Sequence, residues 1–442
     1  MKNLLRRLTS FQIILLSFAA VILLGSLLLV LPIASQSREF TPFLDALFTA
    51  TSATCVTGLV VHDTATYWSL FGQGVVLVLI QIGGMGVVTM AVAISSASGS
   101  RVSLKQRSTM QEAIAAPQVG GILPLTGFII RMTVIFELAG AVLMAPVFCG
   151  EFGLAKGLWY SLFHGVSAFC NAGFDLMGAA EPYSSLTHFA GDPVINLVIM
   201  ALIIIGGIGF LVWNDVRTHK FRLRRYRMQS KVVLAVSGIL ILLPAIFYFF
   251  VDFSGETLGK RIWYALFQSV TARTAGFNTA DLTALTGPGL TVMIFLMLIG
   301  GSPGSTAGGM KTTTVAVMFS TAIAVFRRRE SPQFFGRRLT DDTVRNAVAI
   351  LTLYLFLFLT GGCAISLIEG LPLAACLFET ASAVGTVGLT LGLTPSLGAV
   401  SHVVLILLMY FGRVGGLTLI FAAVTGRPLT AAKLPQEKLT VG

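Results

Sequence analysis

Four short segments hold the residue types best suited to chemistry: Val56-Thr57-Gly58, Asn171-Ala172-Gly173, Thr274-Ala275-Gly276 and Thr386-Val387-Gly388. Each ends in glycine, and each glycine is followed by Leu or Phe. None contains an acidic side chain. A cation bound there must be held by backbone carbonyls that replace its hydration shell. Glycine suits the end of such a segment because it reaches backbone angles closed to other residues and adds no side chain to the path. Carbonyls without carboxylates favour a large, weakly hydrated monovalent cation over a divalent one.

The spacing around the segments repeats. A Leu-Phe pair precedes each (Phe48, Phe163, Phe267, Phe378), with Phe-to-Gly separations of 10, 10, 9 and 10. An Ile/Val-Gly-Gly follows at Gly83, Gly206, Gly300 and Gly415, at 25, 33, 24 and 27 residues. A period near 110 residues is a statement about architecture.

The elements that position these segments must lie in a membrane. Of 442 residues, 55% are hydrophobic and 11% charged, too few charges to cover soluble domains of that size. Apolar stretches occur at about 12–33, 72–97, 123–148, 193–213, 232–251, 289–325, 346–368 and 399–424, each long enough to span. The sixth is overlong and interrupted at 300–309. Between spans lie short apolar pieces, too short to cross. They read as half-helices, each followed by an extended strand. Irregular backbone at membrane depth requires burial in protein or a wet pathway, and a half-helix entering from outside turns its carbonyl end toward a cation.

The sequence therefore predicts an all-α polytopic membrane protein. Four parallel helix–pore-loop–helix repeats surround one pseudo-fourfold pore, with eight spans plus four re-entrant half-helices. The expected boundaries are 1–100, 101–216, 217–330 and 331–442. Twenty-two of the 30 Lys and Arg fall in Lys2–Arg7, Arg101–Arg107, Arg217–Lys231, Arg327–Arg345 and Arg427–Lys438. This bias places those segments, and both termini, in the cytoplasm. It also accounts for the net charge of +11 without nucleic acid. The five cysteines are scattered and read as free thiols.

Gly300-Gly301-Ser302-Pro303-Gly304-Ser305-Thr306-Ala307-Gly308-Gly309 cannot continue a straight helix, because Pro removes a donor and glycine lowers helix propensity. With Met310 and Lys311 it imitates a phosphate-binding loop, but Met310 stands where glycine is required. The segment is expected beneath the four triplets as a mobile gate. Lys311 and Arg413 are bases inside apolar stretches, the kind of residue that marks an ion path. For Lys311, snorkelling to the inner face is the equal alternative. Arg413, beside Val414-Gly415-Gly416, is expected to hold the segment shut. Arg131 is read as snorkelling, and Glu137 and Glu379 as hydrogen-bonded inside the bundle. No HExxH or GxSxG occurs, and the chain is not read as an enzyme.

The triplets resemble degenerate potassium-channel filters. Asp45-Ala46-Leu47-Phe48-Thr49-Ala50, Phe163-His164-Gly165-Val166-Ser167-Ala168-Phe169, Ala272-Arg273-Thr274-Ala275-Gly276-Phe277-Asn278 and Phe411-Gly412-Arg413-Val414-Gly415 complete the likeness. Together they resemble the Trk/Ktr/HKT superfamily of potassium transporters, most of all its KtrB-type membrane subunit. The resemblance implies K⁺ as the transported ion, Na⁺ as a coupling ion and no organic cofactor. It also implies a homodimer in the cytoplasmic membrane, gated by a cytosolic nucleotide-binding ring of the KtrA type. Sodium-preferring plant relatives carry Ser at the first filter position; Gly58 stands there here. A Na⁺-preferring symporter of the same architecture is the alternative.

Overall fold

The computed structural model describes residues 8–97, 102–114, 121–179, 181–416 and 418. The basic residues Lys2, Arg6, Arg7, Arg101, Arg427, Lys433 and Lys438 lie outside the described residues, as does the tail after Arg427. The fold is almost wholly helical.

Four helices are long and apolar enough to cross a membrane unbroken: α1 (Ser10–Val30), α6 (Ile122–Phe152), α10 (Met228–Phe250) and α14 (Asp341–Glu369). Each buries only about a third of its most apolar window or less. Their outward faces carry Leu24, Val142, Leu243 and Leu367, all more than half exposed. The interior instead gathers serines and threonines. Apolar outside with small and polar residues inside is the arrangement expected where lipid is the solvent. A capping box of Thr9 and Gln12 starts α1.

After each long helix comes a short one: α2 (Phe43–Thr54), α7 (Leu154–Phe169), α11 (Leu258–Thr271) and α15 (Leu373–Gly385). These short helices stand where the sequence predicts its half-helices. Each is anchored by its Leu-Phe phenylalanine, and Phe48, Phe163, Phe267 and Phe378 are wholly buried. Removing such a ring leaves a cavity worth about 3–5 kcal/mol.

The second helices depart from the expected straight spans. α3 (Leu70–Met85) meets α4 (Val87–Ala97) at 94°, and α8 (Pro193–Gly207) meets α9 (Phe210–His219) at 95°. The hinges are Gly86 (φ +85°) and Gly209 (φ +99°), angles that suit glycine and penalise every side chain. α12 (Gly287–Leu298) and α13 (Thr312–Phe326) are separated by the irregular segment 299–311. α16 (Ala399–Val414) stops at Gly415 (φ +91°). A short helix, α5 (Leu104–Ala113), and a two-stranded ribbon, β1 (Gln333–Phe334) with β2 (Arg337–Arg338), lie in the connecting segments.

The fourth Gly-Gly register also needs correction. Built Cβ atoms on Gly83, Gly206 and Gly412 would lie 2.0–2.2 Å from Thr54 O, Phe169 O and Val384 O, the C-terminal carbonyls of the half-helices. Gly412, three residues before the hinge Gly415, is thus the counterpart of Gly83 and Gly206. The Gly415-Gly416 pair is not. These glycines allow helix and half-helix backbones to touch.

Candidate functional site

The half-helices end where the four triplets begin, and the triplets share one backbone alternation. Their first residues, Val56, Asn171, Thr274 and Thr386, have φ of +53°, +57°, +69° and +52°. Their last, Gly58, Gly173, Gly276 and Gly388, have φ of +94°, +70°, +85° and +92°. These segments are not extended strands, as the sequence predicts, but alternating left-handed backbone. Three of the first residues are β-branched, for which positive φ is a true outlier. Strain recurring at four equivalent places belongs to a site that the surrounding structure enforces.

The triplets close on each other. A Cβ on Gly58 would lie 2.5 Å from Ala172 O, on Gly173 2.6 Å from Ala275 O, on Gly276 2.4 Å from Val387 O, and on Gly388 2.1 Å from Thr57 O. The order 1–2–3–4–1 is a complete ring. Each middle carbonyl, of Thr57, Ala172, Ala275 or Val387, stands against the neighbouring glycine. The glycines are therefore required both for their φ and for room.

A second set of residues supports the ring, and the sequence reading missed it. Ser52 O accepts from Thr57 N (2.8 Å) while its Oγ accepts from Gly58 N (3.1 Å). Ser382 O accepts from Val387 N (2.8 Å) and its Oγ from Gly388 N (3.0 Å). Ser167 O accepts from Ala172 N (2.8 Å), and its Oγ donates to Phe174 O (2.7 Å). Thr271 O accepts from Ala275 N (2.9 Å), and its Oγ1 donates to Phe277 O. All four are buried. The signal was present: a hydroxyl lies six residues before Gly in three units and five before it in the third, whose Phe-to-Gly distance is also one shorter.

One position after two of the anchoring residues, Phe163 and Phe378, a polar side chain ties down the loop beyond the ring. Glu379 accepts from Thr390 Oγ1, from Leu391 N (3.0 Å) and from Thr394 Oγ1 (2.6 Å). His164 Nε2 accepts from Leu176 N at 3.4 Å. Glu137 binds Gln81 Nε2 (3.3 Å) and Cys170 Sγ (3.7 Å). Arg273 is buried, and its Nη2 donates to Ser237 Oγ (3.1 Å) on α10.

On one side the ring faces a cavity of about 230 Å³, lined by all four glycines with Asp63, Asp175 and Asp281 at its wall. The sequence reading did not single out these aspartates. Asp63 is occupied in capping Ala65 and Thr66 and in accepting from Tyr183 N (3.0 Å). On the other side a cavity of about 360 Å³ is lined by Gly84, Gly304, Ala307, Gly309, Lys311 and Arg413, among others.

The segment 299–311 separates ring from cavity and is bonded to three other parts of the chain. Ser302 N donates to Gly207 O (3.0 Å) and Phe210 N to Gly304 O (2.7 Å). Gly309 N donates to Gly412 O (3.1 Å), and Gly300 N closes the segment on Met310 O (2.7 Å). The segment crosses directly under the ring, for a Cβ on Gly308 would lie 2.2 Å from Thr386 Oγ1. Gly301, Pro303 and Ser305 complete it, with Ser305 Oγ donating to Ser302 O (2.7 Å).

Thr306 is the centre of this stitching. Its N donates to Gly206 O (3.3 Å), and its Oγ1 bonds Phe169 O (3.1 Å) and Asn171 Oδ1 (3.0 Å). Its carbonyl accepts from Arg413 Nη1. The other arm of Arg413, Nη2, donates to Gly83 O and to Gly84 O (3.1 Å). One guanidinium thus joins α16, α3 and the segment. Lys311 turns back on the segment, with Nζ donating to Ala307 O (2.8 Å) and Gly308 O (3.3 Å). Both cations occupy carbonyls that the broken helix leaves free.

The family profile of TrkH, a cation transport protein, matches residues 3–432. The chain belongs to this family. The potassium/sodium uptake protein NtpJ of Enterococcus hirae is 38% identical over 100% of this chain and 99% of its own length. The Ktr system potassium uptake protein B of Bacillus subtilis is 38% identical over 94% of this chain and 93% of its own. The protein of the same name in Vibrio alginolyticus is 36% identical over 98% and 94%. The crystal structure of the potassium transporter TrkH from Vibrio parahaemolyticus superposes with a TM-score of 0.75, covering 94% of this chain and 84% of that one at 20% identity, which establishes a shared fold. This TrkH-family chain is a membrane protein of the cation transport class.

Proposed function

We propose that the chain carries K⁺ into the cell through the ring of four glycine-ended triplets. The observation that carries the reading is the closed ring itself: four positive-φ triplets whose middle carbonyls meet in the order 1–2–3–4–1. The four half-helices turn their carbonyl ends toward it, which favours a cation. Val56, Thr57, Gly58, Asn171, Ala172, Gly173, Thr274, Ala275, Gly276, Thr386, Val387 and Gly388 form the filter. In this reading the four units, at 1–100, 101–216, 217–330 and 331–442, are parallel repeats around a pseudo-fourfold axis with eight crossings.

Beneath the filter, 300–309 with Lys311 and Arg413 forms the gate. Thr306, hydrogen-bonded both to Asn171 in the filter and to Arg413 in α16, links the two. Two fixed positive charges beside a closed loop raise the barrier to a cation. Conduction is downhill, since a membrane potential supplies roughly 2.3 kcal/mol per charge per 100 mV. The names of the relatives support K⁺, with Na⁺ as coupling ion. The Ktr system naming fits control by a separate cytosolic nucleotide-binding subunit on a homodimer. The basic segments support a location in the cytoplasmic membrane with both termini on the cytoplasmic side. A second reading, Na⁺ as the preferred cargo, rests on the name of the Enterococcus hirae relative.

Competition uptake in reconstituted vesicles separates them. Tracer Rb⁺ uptake should be displaced by K⁺ at lower concentration than by Na⁺ and stimulated by low Na⁺. Displacement by Na⁺ at equal or lower concentration would establish the second reading.

A further inference from the structure

On the outer side of the bundle, α6, α8, α9 and α10 enclose a groove of about 920 Å³. Its wall on α6 is one stripe: Pro124, Phe128, Arg131 and Ile135 recur at the i, i+4, i+7 spacing of a single helix face. Trp213 and Leu234 line the groove from α9 and α10. Gly127 widens it, since a Cβ there would meet nothing within 4 Å.

Two arginines stand on this otherwise apolar groove. Arg131 lies nine residues into α6, about 13 Å along its axis, and is exposed on the outer face of the bundle. Arg217 is also exposed, and its guanidinium sits 4.9 Å from the Phe128 ring centroid, which turns it toward the groove. Neither has a carboxylate partner among the described residues. The acid nearest Arg217 in sequence, Asp215, is buried and already accepts from Ser230 Oγ (2.7 Å) and Arg227 N (3.0 Å), and the acid nearest Arg131, Glu137, is buried with Gln81 and Cys170.

We propose that this groove binds one anionic glycerophospholipid, with an acyl chain along the stripe and the headgroup phosphate between Arg131 and Arg217. A lipid supplies both halves of what the groove presents, an apolar chain and a phosphate matched to planar guanidinium forks. A zwitterionic headgroup brings a cation back toward the same arginines, so a net negative lipid is preferred. A solvent-exposed arginine on a lipid-facing helix needs such a partner more than one that reaches water. The site rests only on the membrane placement of the chain and is independent of the ion carried or the side on which this end of α6 lies.

The test is native mass spectrometry of the full chain, released from detergent containing equal phosphatidylglycerol and phosphatidylcholine. Wild type should retain at least one phosphatidylglycerol in preference to phosphatidylcholine. R131Q/R217Q should lose that preference by roughly tenfold or more, while R131K/R217K retains part of it. The distant R327Q/R328Q should match wild type. Trp213 supplies a second readout: brominated phosphatidylglycerol should quench tryptophan fluorescence more than brominated phosphatidylcholine, and less so in R131Q/R217Q. Absence of a headgroup preference, or a preference untouched by R131Q/R217Q, overturns the proposal. So does a shift of the double variant from dimer to monomer with its lipid unchanged, which would make this face a protein interface.

Discussion

At the residue scale, the ring depends on groups with opposite visibility in a sequence. The glycines announce themselves through their recurring distance from a Leu-Phe pair. The hydroxyls behind them do not, because serine and threonine are common at buried positions of membrane helices and only the coordinates show which backbone N–H each one meets. Ser382→Ala removes the acceptor from Gly388 N and leaves that donor buried, at a cost of about 1–3 kcal/mol. Expected is a several-fold drop in K⁺ over Na⁺ discrimination in competition uptake, with Ser382→Thr close to wild type, since it keeps a hydroxyl acceptor at that position. Gly58→Ser has two faults at once: φ of +94° and a side chain 2.5 Å from Ala172 O. The left-handed angle alone costs roughly 1–2 kcal/mol. Uptake by Gly58→Ser, at equal expression, should be slower and less selective for K⁺; wild-type selectivity would remove Gly58 from the filter.

At the element scale, hydropathy gave the spans and half-helices but not the hinges. A window about twenty residues wide cannot register a right-angled bend made by one glycine, so 72–97 and 193–213 read as straight. Gly86 and Gly209 stand among packing glycines such as Gly83 and Gly206, and their φ sets them apart. The break at 300–309 was legible because proline and five glycines concentrate there. Its bonding was not, since nothing in the order of residues says that Thr306 reaches Asn171. Thr306→Val keeps the shape and removes the hydroxyl bonded to Phe169 O and Asn171 Oδ1. Together with Arg413→Ala, it is expected to loosen the segment and raise K⁺ flux several-fold. Tracer flux in vesicles decides: variants that insert normally yet conduct no faster would show that the segment is not the gate. Gly86→Ala tests the hinge more cleanly, because its Cβ would meet nothing closer than Thr89 Oγ1 at 3.7 Å. A loss of about 1–2 kcal/mol in thermal stability, from strain alone, is expected.

At the scale of the whole molecule, charge rather than shape supports the proposed orientation. The basic segments 217–231 and 326–345 lie at one end, and the ribbon Gln333–Phe334 with Arg337–Arg338 is largely exposed there. A regulatory partner docking on that end would meet Arg337 and Arg338 first. Arg337→Glu with Arg338→Glu should weaken its binding roughly tenfold at low salt and leave basal uptake by the chain alone unchanged, as titrated by light scattering or interferometry. The cytosolic partner itself could not be read from this chain, because the groups that sense a nucleotide belong to another polypeptide in this account. The fourfold relation between units was legible only because the same motif recurs four times; its closure into a ring needed the coordinates.

In the proposed filter a cation sits among the carbonyls of Thr57, Ala172, Ala275 and Val387. Anomalous diffraction from crystals of the full chain grown with Rb⁺ in place of K⁺ locates that ion directly. The expected result is a peak on the axis between those four carbonyls, lost on soaking with excess K⁺ and weakened in Gly58→Ser. Rb⁺ bound elsewhere in the bundle, with the ring empty, would contradict the account.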